Sequence, residues 1–286
     1  MPYEAEISRS HPTAFLFLID QSGSMDENMP EGVSKARAAA DAINKLIDNL
    51  ITHCSKGLSD SGEEDVRDYF YLGVMGYNGH GVADALPGPI ALDALRPISR
   101  VARHPLRVEE RQKSIADGAG GVIQVNAKFR VWFDPVSDGG TPMCEALRKA
   151  AEVVATFLGA HPDCFPPLVI NITDGQATDG DPEPEAAVIR ELTSTDGGAL
   201  LFNVHISGDY GDGVFLPADQ EQLSGNYARQ LFRMSSLLPP IMFGRATGMG
   251  LSPAPGARGF AFRAGIERVI ELLDIGTRAD NIAQDR

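Results

Sequence analysis

Asp20, Ser22 and Ser24 occupy alternate positions directly after an apolar run, Ala14 to Ile19, with Gly23 between the serines. One carboxylate and two small hydroxyls in a single tight turn form a hard-oxygen donor set. Divalent cations such as Mg²⁺ take oxygen ligands in octahedral geometry and usually keep several waters. Neutral hydroxyls fill coordination positions without quenching the charge of the ion. Two further pieces of sequence repeat this chemistry. Asp138-Gly-Gly-Thr141-Pro142 offers a hydroxyl just ahead of a helix, and Ile172-Thr-Asp174-Gly175 offers a second carboxylate after another apolar run. Two carboxylates, Asp20 and Asp174, roughly balance a dication. If neither binds the ion directly, it stays electrophilic and accepts an anionic ligand from outside, such as the Asp or Glu of a partner.

Residues this far apart need a scaffold that brings chain ends together. The runs Ala14–Asp20, Tyr69–Tyr77, Pro167–Thr173 and Leu200–Ile206 read as strands, most of them apolar on both faces, as in the middle of a parallel sheet. Between them, Pro30–Leu50 places Val33, Ala36, Ala40, Ile43, Leu46, Ile47 and Leu50 on one helical face. Pro142–Leu158, Pro182–Leu192, Asp219–Leu237 and Gly265–Leu273 also read as helices, the first with proline at its opening position, and Gly259–Phe262 is a short last strand. The alternation predicts an α/β fold: a doubly wound, mostly parallel central sheet with helices on both faces. Ligands collect at the carboxyl ends of such strands, which is where Asp20 and Asp174 fall. One stretch, about 78–135, breaks the rhythm with a loop and two candidate strands, Leu106–Ile115 and Val122–Phe133. The intervening Ala-Asp-Gly-Ala-Gly-Gly is turn chemistry, so a β-hairpin insertion is predicted. Its outer strand, Arg107–Lys113, is almost wholly charged or amide-bearing: either a solvated edge or a contact arm. Gly244–Arg258 reads as a loop. The expected organisation is one domain over 12–275, with tails at 1–11 and 276–286.

The pattern Asp-x-Ser-x-Ser, then a Thr, then an Asp at a later strand end resembles the von Willebrand factor A (VWA) domain and its metal-ion-dependent adhesion site. Asp20, Ser22, Ser24, Thr141 and Asp174 match all five positions, and the resemblance spans about Pro12 to Asp274. It implies a VWA/Rossmann-like sheet and Mg²⁺ at the site, with Mn²⁺ or Ca²⁺ as alternatives. It further implies direct coordination by the two serines and the threonine, and aspartates acting mainly through water. The chain is longer than a minimal VWA domain, chiefly in 78–135, 207–213 and 244–258. It also loosely resembles bacterial cytoplasmic VWA proteins of the tellurium-resistance type, linked to kinases and phosphatases.

Several neighbouring features have plainer explanations. Asp179 and Asp181 suit a helix N-terminus, and Asp209–Gly213 a solvated turn. His205 and Trp132 read as core residues, and Cys144 as a buried helix residue rather than a reactive thiol. Histidines and cysteines lack zinc-site spacing, and there is no phosphate-loop, dinucleotide, nucleophile-elbow or metalloprotease motif. Gln21 stands after Asp20, where a phosphoryl-accepting carboxylate would want a lysine or second acid close by. The 25 Lys and Arg against 39 Asp and Glu leave a net charge of −14, which argues against a nucleic-acid partner. No apolar run reaches the length of a membrane span, Met1–His11 shows no basic-then-apolar leader, and three scattered cysteines suggest a reducing compartment. The expectation is a cytoplasmic, non-enzymatic, metal-dependent protein-binding module. The alternatives are a regulatory subunit of a MoxR-type ATPase or kinase–phosphatase system and, more remotely, a metal-dependent phosphatase.

Overall fold

A strand that is apolar on both faces must be covered on both, and Thr13–Asp20 (β1) is buried at every position. The computed structural model of the protein describes residues 2–30, 32–58, 64–86, 94–116, 122–208 and 213–277. After β1 come α1 (Lys35–Cys54), β2 (Phe70–Asn78), β3 (Gly81–Asp84), β4 (Arg96–Pro97) and α2 (Ile98–Ala102). The hairpin strands β5 (Arg107–Ala116) and β6 (Val122–Val131) follow, then α3 (Met143–Ala160), β7 (Leu168–Thr173) and α4 (Glu183–Glu191). The chain continues through β8 (Leu200–Ile206), β9 (Val214–Phe215), α5 (Asn226–Met234), α6 (Pro240–Gly248), β10 (Phe260–Ala264) and α7 (Ile266–Thr277). Two small antiparallel pairs, Ser55–Leu58 with Glu64–Val66 and Thr193–Ser194 with Gly197–Gly198, decorate the connections.

The main sheet runs β9-β10-β8-β7-β1-β2-β3, with β4 also paired to β2. Its five inner strands are parallel, and β9, β3 and β4 join antiparallel. This is the doubly wound, mostly parallel architecture expected from the sequence. Side chains alternate across β1: Phe15, Phe17 and Ile19 pack in one layer with α1, α2, α6 and α7. Ala14, Leu16 and Leu18 pack in the other with α3, α4 and α5. The connections run to opposite sides of β1, toward β2 and toward β7, so the crevice beyond Asp20 is a topological switch point.

Several boundaries move. The first helix begins at Lys35 rather than Pro30, leaving Val33 outside it and 44% exposed. Pro142 is the N-cap of α3, not its first residue. The helix expected over Asp219–Leu237 is limited to Asn226–Met234. Conversely, the stretch read as a loop from Gly244 holds the second half of α6, which buries Met242 and Ala246 one turn apart. Proline in its first turn starts this helix, and contact with α7 holds it despite the glycines: Arg245 Nη1 donates to the Ile275 carbonyl at 3.3 Å. The final helix runs on to Thr277. The N-terminal stretch, read as a tail, lies against residues 193–198, where Tyr3 donates its backbone N–H to Asp196 and its hydroxyl to Gly198.

The hairpin is present as ten paired positions, Arg107↔Val131 to Ala116↔Val122; its turn, 117–121, lies outside the described residues. It is pinned over α1 by Arg111 on Asp41 at 3.1 Å and by the Arg130–Asp48 ion pair. Trp132, just past β6, is fully buried with its indole N–H on the Val101 carbonyl at 2.8 Å, the core role expected of it.

Candidate metal centre

Parallel register places the two acidic strand ends side by side. Ile19 pairs with Ile172, so Asp20 ends β1 beside Thr173 at the end of β7, with Tyr77 of β2 on its other flank. Asp20 is completely buried. One oxygen accepts the Ser22 backbone N–H at 2.9 Å and the other accepts the Thr173 hydroxyl at 2.7 Å. Burial pushes the Asp20 carboxyl above the usual carboxylate range, and the donors from Ser22 and Thr173 only partly counter it. A bound dication would favour the ionised form of such a carboxylate.

The loop after β1 turns so that the Ser22 and Ser24 hydroxyls stand 3.2 Å apart, and Ser24 Oγ donates to Asp174 Oδ1 at 2.7 Å. Thr141 reaches the same place from the start of α3. A Cβ on Gly175 would lie 3.8 Å from Thr141 Oγ1 and 4.0 Å from Ser24 Oγ, so both hydroxyls line one space left open by the missing side chain. The loop that presents Thr141 is tied to the first by Gly23 N–H on the Gly139 carbonyl and Asp138 N–H on the Gln21 carbonyl. Gly139 is required there: its φ is +69°, and a Cβ would meet Gly79 Cα at 2.6 Å. The structure thus brings Asp20, Ser22, Ser24, Thr141 and Asp174 to one end of the sheet. Two carboxylates and three hydroxyls are a hard-oxygen composition that fits Mg²⁺ or Mn²⁺. Among the described residues no group of three His, Cys, Asp or Glu side chains forms a metal cluster.

Three other residues complete the surroundings, and the linear pattern did not show them. Lys35, at the first position of α1, is buried and donates to Glu27 Oε2 at 2.6 Å and Asp174 Oδ2 at 3.0 Å. Burial alone would lower the pKa of its ammonium, but the two carboxylates outweigh it and the pKa is raised. Thr173 links the strand ends: its hydroxyl, donating to Asp20, also accepts the Gly175 N–H at 3.1 Å. His205, half-buried at the end of β8 and stacked on Phe262, accepts the Arg263 N–H on Nδ1 at 3.2 Å. Its proton therefore sits on Nε2, toward the Asp174 backbone, and burial lowers its pKa to about 4.

Deeper in the sheet, strand asparagines form a polar chain. Tyr77 OH donates to Asn171, Asn171 to Asn203, and Asn203 to Ser235, at 2.8, 3.0 and 3.0 Å. The signal for it was visible as one Asn in the middle of each of the runs 167–173 and 200–206.

The plainer explanations fare as follows. Asp179 accepts the N–H groups of Cys144 and Glu145, capping α3 rather than the helix it precedes. Asp181 accepts from Glu183 N–H and from Gln230. Cys144 is buried and its thiol is pushed up to about 12, first by burial and then by Asp179, so it is no thiolate. Asp138 pairs at the surface with His80, 2.8 Å away. The Asp209–Gly213 turn lies outside the described residues except for Gly213.

No protein-family model matches this chain, and no curated protein matches it. Among solved structures it is similar to the pilus adhesin SpaC from Lactobacillus rhamnosus GG, at 14% identity and a TM-score of 0.45, over 92% of this chain and 30% of that one. It is similar to the manganese-loaded Plasmodium vivax TRAP protein at 14% identity and a TM-score of 0.41, over 92% of this chain and 72% of that one. The pilus adhesin RrgA from Streptococcus pneumoniae follows at 16% identity and a TM-score of 0.31, over 59% of this chain and 21% of that one. The chain thus spans under a third of the length of SpaC, and likenesses this distant carry no argument about the site.

Proposed function

We propose that this chain is a metal-dependent protein-binding module, an adaptor or scaffold, whose strand-end cluster holds a divalent cation, Mg²⁺ foremost. The observation that carries this reading is the convergence of the Ser22, Ser24 and Thr141 hydroxyls beside two carboxylates whose oxygens all accept hydrogen bonds within the chain. Ser22, Ser24 and Thr141 would ligate directly, while Asp20 and Asp174 orient the hydroxyls and coordinated water. A cation held this way supplies an electrophilic position for the carboxylate of a partner's Asp or Glu. The resemblance to the VWA adhesion site supports the same assignment, and a cytoplasmic setting with no nucleic-acid partner goes with it. No helix among the described residues is long and apolar enough to cross a membrane.

Phosphoryl transfer is the second reading, because the lysine missing from the linear sequence stands in space at Asp174. Both Asp174 oxygens are already engaged, by Ser24 and Lys35, and its side chain is 1% exposed. A side chain so withdrawn from solvent is poorly presented to an incoming phosphorus atom, and Asp20 is completely buried as well. Affinity capture with the purified chain, with and without EDTA, tests the binding reading. Partner capture that is lost in EDTA and restored by Mg²⁺ is expected; capture indifferent to EDTA refutes it. Turnover of a generic phosphoester with Mg²⁺ or Mn²⁺ that disappears in Asp20→Ala would establish the second reading instead.

A further inference from the structure

We propose that Lys35 is a tethered counter-ion of the cation centre, holding Asp174 in place when no divalent ion is bound and lowering the affinity with which the centre takes one. This rests on the cation reading given above. The argument begins with a misfit. Lys35 is the first residue of a 20-residue helix whose first turn contains no acid. The N-terminus of a helix carries partial positive charge and favours anions, so an ammonium there is unfavourable for α1. Ser34 already caps the helix by accepting the Arg37 N–H, so Lys35 has no capping task.

Its side chain is only 8% exposed, and a buried ammonium persists only when its charge is answered. The answering groups are the Glu27 and Asp174 carboxylates. Asp174 is the more deeply buried, and Lys35 and Ser24 together occupy both of its oxygens. Two nearby buried carboxylates would repel each other, and Lys35 offsets that repulsion from within the chain. The same charge acts against an arriving dication.

Glu27 gives the ammonium somewhere to stay. Its side chain is 69% exposed, and it forms, with Asn28, Lys35, Asp174 and His205, a polar pocket of about 310 Å³ beside the centre. Lys35 can therefore release Asp174 while keeping Glu27. Even with the full dielectric of water between them, a unit charge about 6 Å from a dication changes affinity by about tenfold, and a less polar surrounding enlarges the effect.

Calorimetric titration of Mn²⁺ into the EDTA-stripped full chain, paired with thermal melts, decides the matter. Lys35→Met is expected to bind Mn²⁺ at least about tenfold tighter than wild type. It should also melt lower in EDTA, with the deficit shrinking in saturating Mn²⁺. Lys35→Arg, which keeps the charge, should stay within about threefold of wild type. Equal or weaker Mn²⁺ binding by a folded Lys35→Met overturns the proposal and leaves the cation reading standing. If neither wild type nor variants bind Mn²⁺, the cation reading falls and the proposal falls with it. Should Lys35→Met not fold, Lys35→Gln, which keeps a hydrogen-bond donor for Asp174 without the charge, is expected to bind Mn²⁺ at least several-fold tighter. Unchanged affinity there overturns the proposal.

Discussion

The strand-end cluster and the β5–β6 hairpin use the same residue types to opposite ends. At the cluster, Asp20, Asp174 and Lys35 are buried, and each is held by donors or acceptors from separate segments of the chain. On the hairpin, Arg107 bridges Glu109 and Asp134 at 2.7 Å each, and Arg111 bridges Asp41 and Glu109, all at least a quarter exposed. Water screens the second network, so its pairs are individually weak. In the first, any single loss leaves a buried group unanswered. Identical chemistry is a water-screened surface network in one place and a buried, mutually dependent cluster in the other, and burial makes the difference.

The contrast can be broken from either side. The largest effect is expected for Asp20→Ala. Mn²⁺ affinity should fall by about a hundredfold, as for other groups that orient ligands through hydrogen bonds, and the melting temperature should stop responding to the ion. A variant that still shows the wild-type Mn²⁺-dependent shift would place the cation elsewhere. Next, Asn171→Leu strips the partner from the Tyr77 hydroxyl and from Asn203, and a cost of about 2–4 kcal/mol in urea denaturation is expected. A loss below about 1 kcal/mol would show that the buried chain under the site is as dispensable as a surface pair.

His205 gives a smaller, pH-resolved effect. Its folded pKa of about 4 lies below the ordinary 6.5, so the unfolded chain takes up the proton first as pH falls. Its contribution is complete above pH 6.5 and is lost progressively between 6.5 and 4. His205→Gln should remove about 1–2 kcal/mol of the stability difference between pH 7 and pH 4.5, read from denaturation at both. An unchanged acid limb would show that other groups carry it. The smallest effect is expected on the hairpin. Arg107→Ala should cost under about 1 kcal/mol, less still at high salt; a larger cost would mean that the arm is part of the folding core.

The five candidate ligands were legible because their types and order survive in one dimension, and strand ends can be read from where apolar runs stop. Helix ends were less legible. Val33 fits the apolar face of α1 by spacing, yet the chain needs residues 27–34 as a loop to bring Glu27 back onto the Lys35 backbone. The second half of α6 was hidden because glycines at 244 and 248 argue for a loop when counted alone, and only packing against α7 outweighs them. Asp179 looked like a cap for the helix that follows it, but it caps α3, which starts 36 residues earlier in the sequence.

By itself, the sequence determined the alternation of strands and helices, the carboxyl-end placement of Asp20 and Asp174, and the hydroxyls offered at 22, 24 and 141. Periodicity and residue chemistry are local properties, and they need no knowledge of what lies across the fold. Only the tertiary structure decided that Lys35 answers Asp174 across 139 positions, that Thr173 fastens Asp20, and that His205 faces the same loop. Those contacts exist because parallel pairing of β1, β7 and β8 stacks three strand ends in one crevice. Electrostatics then depends on distance through space and on burial, neither of which the order of residues contains.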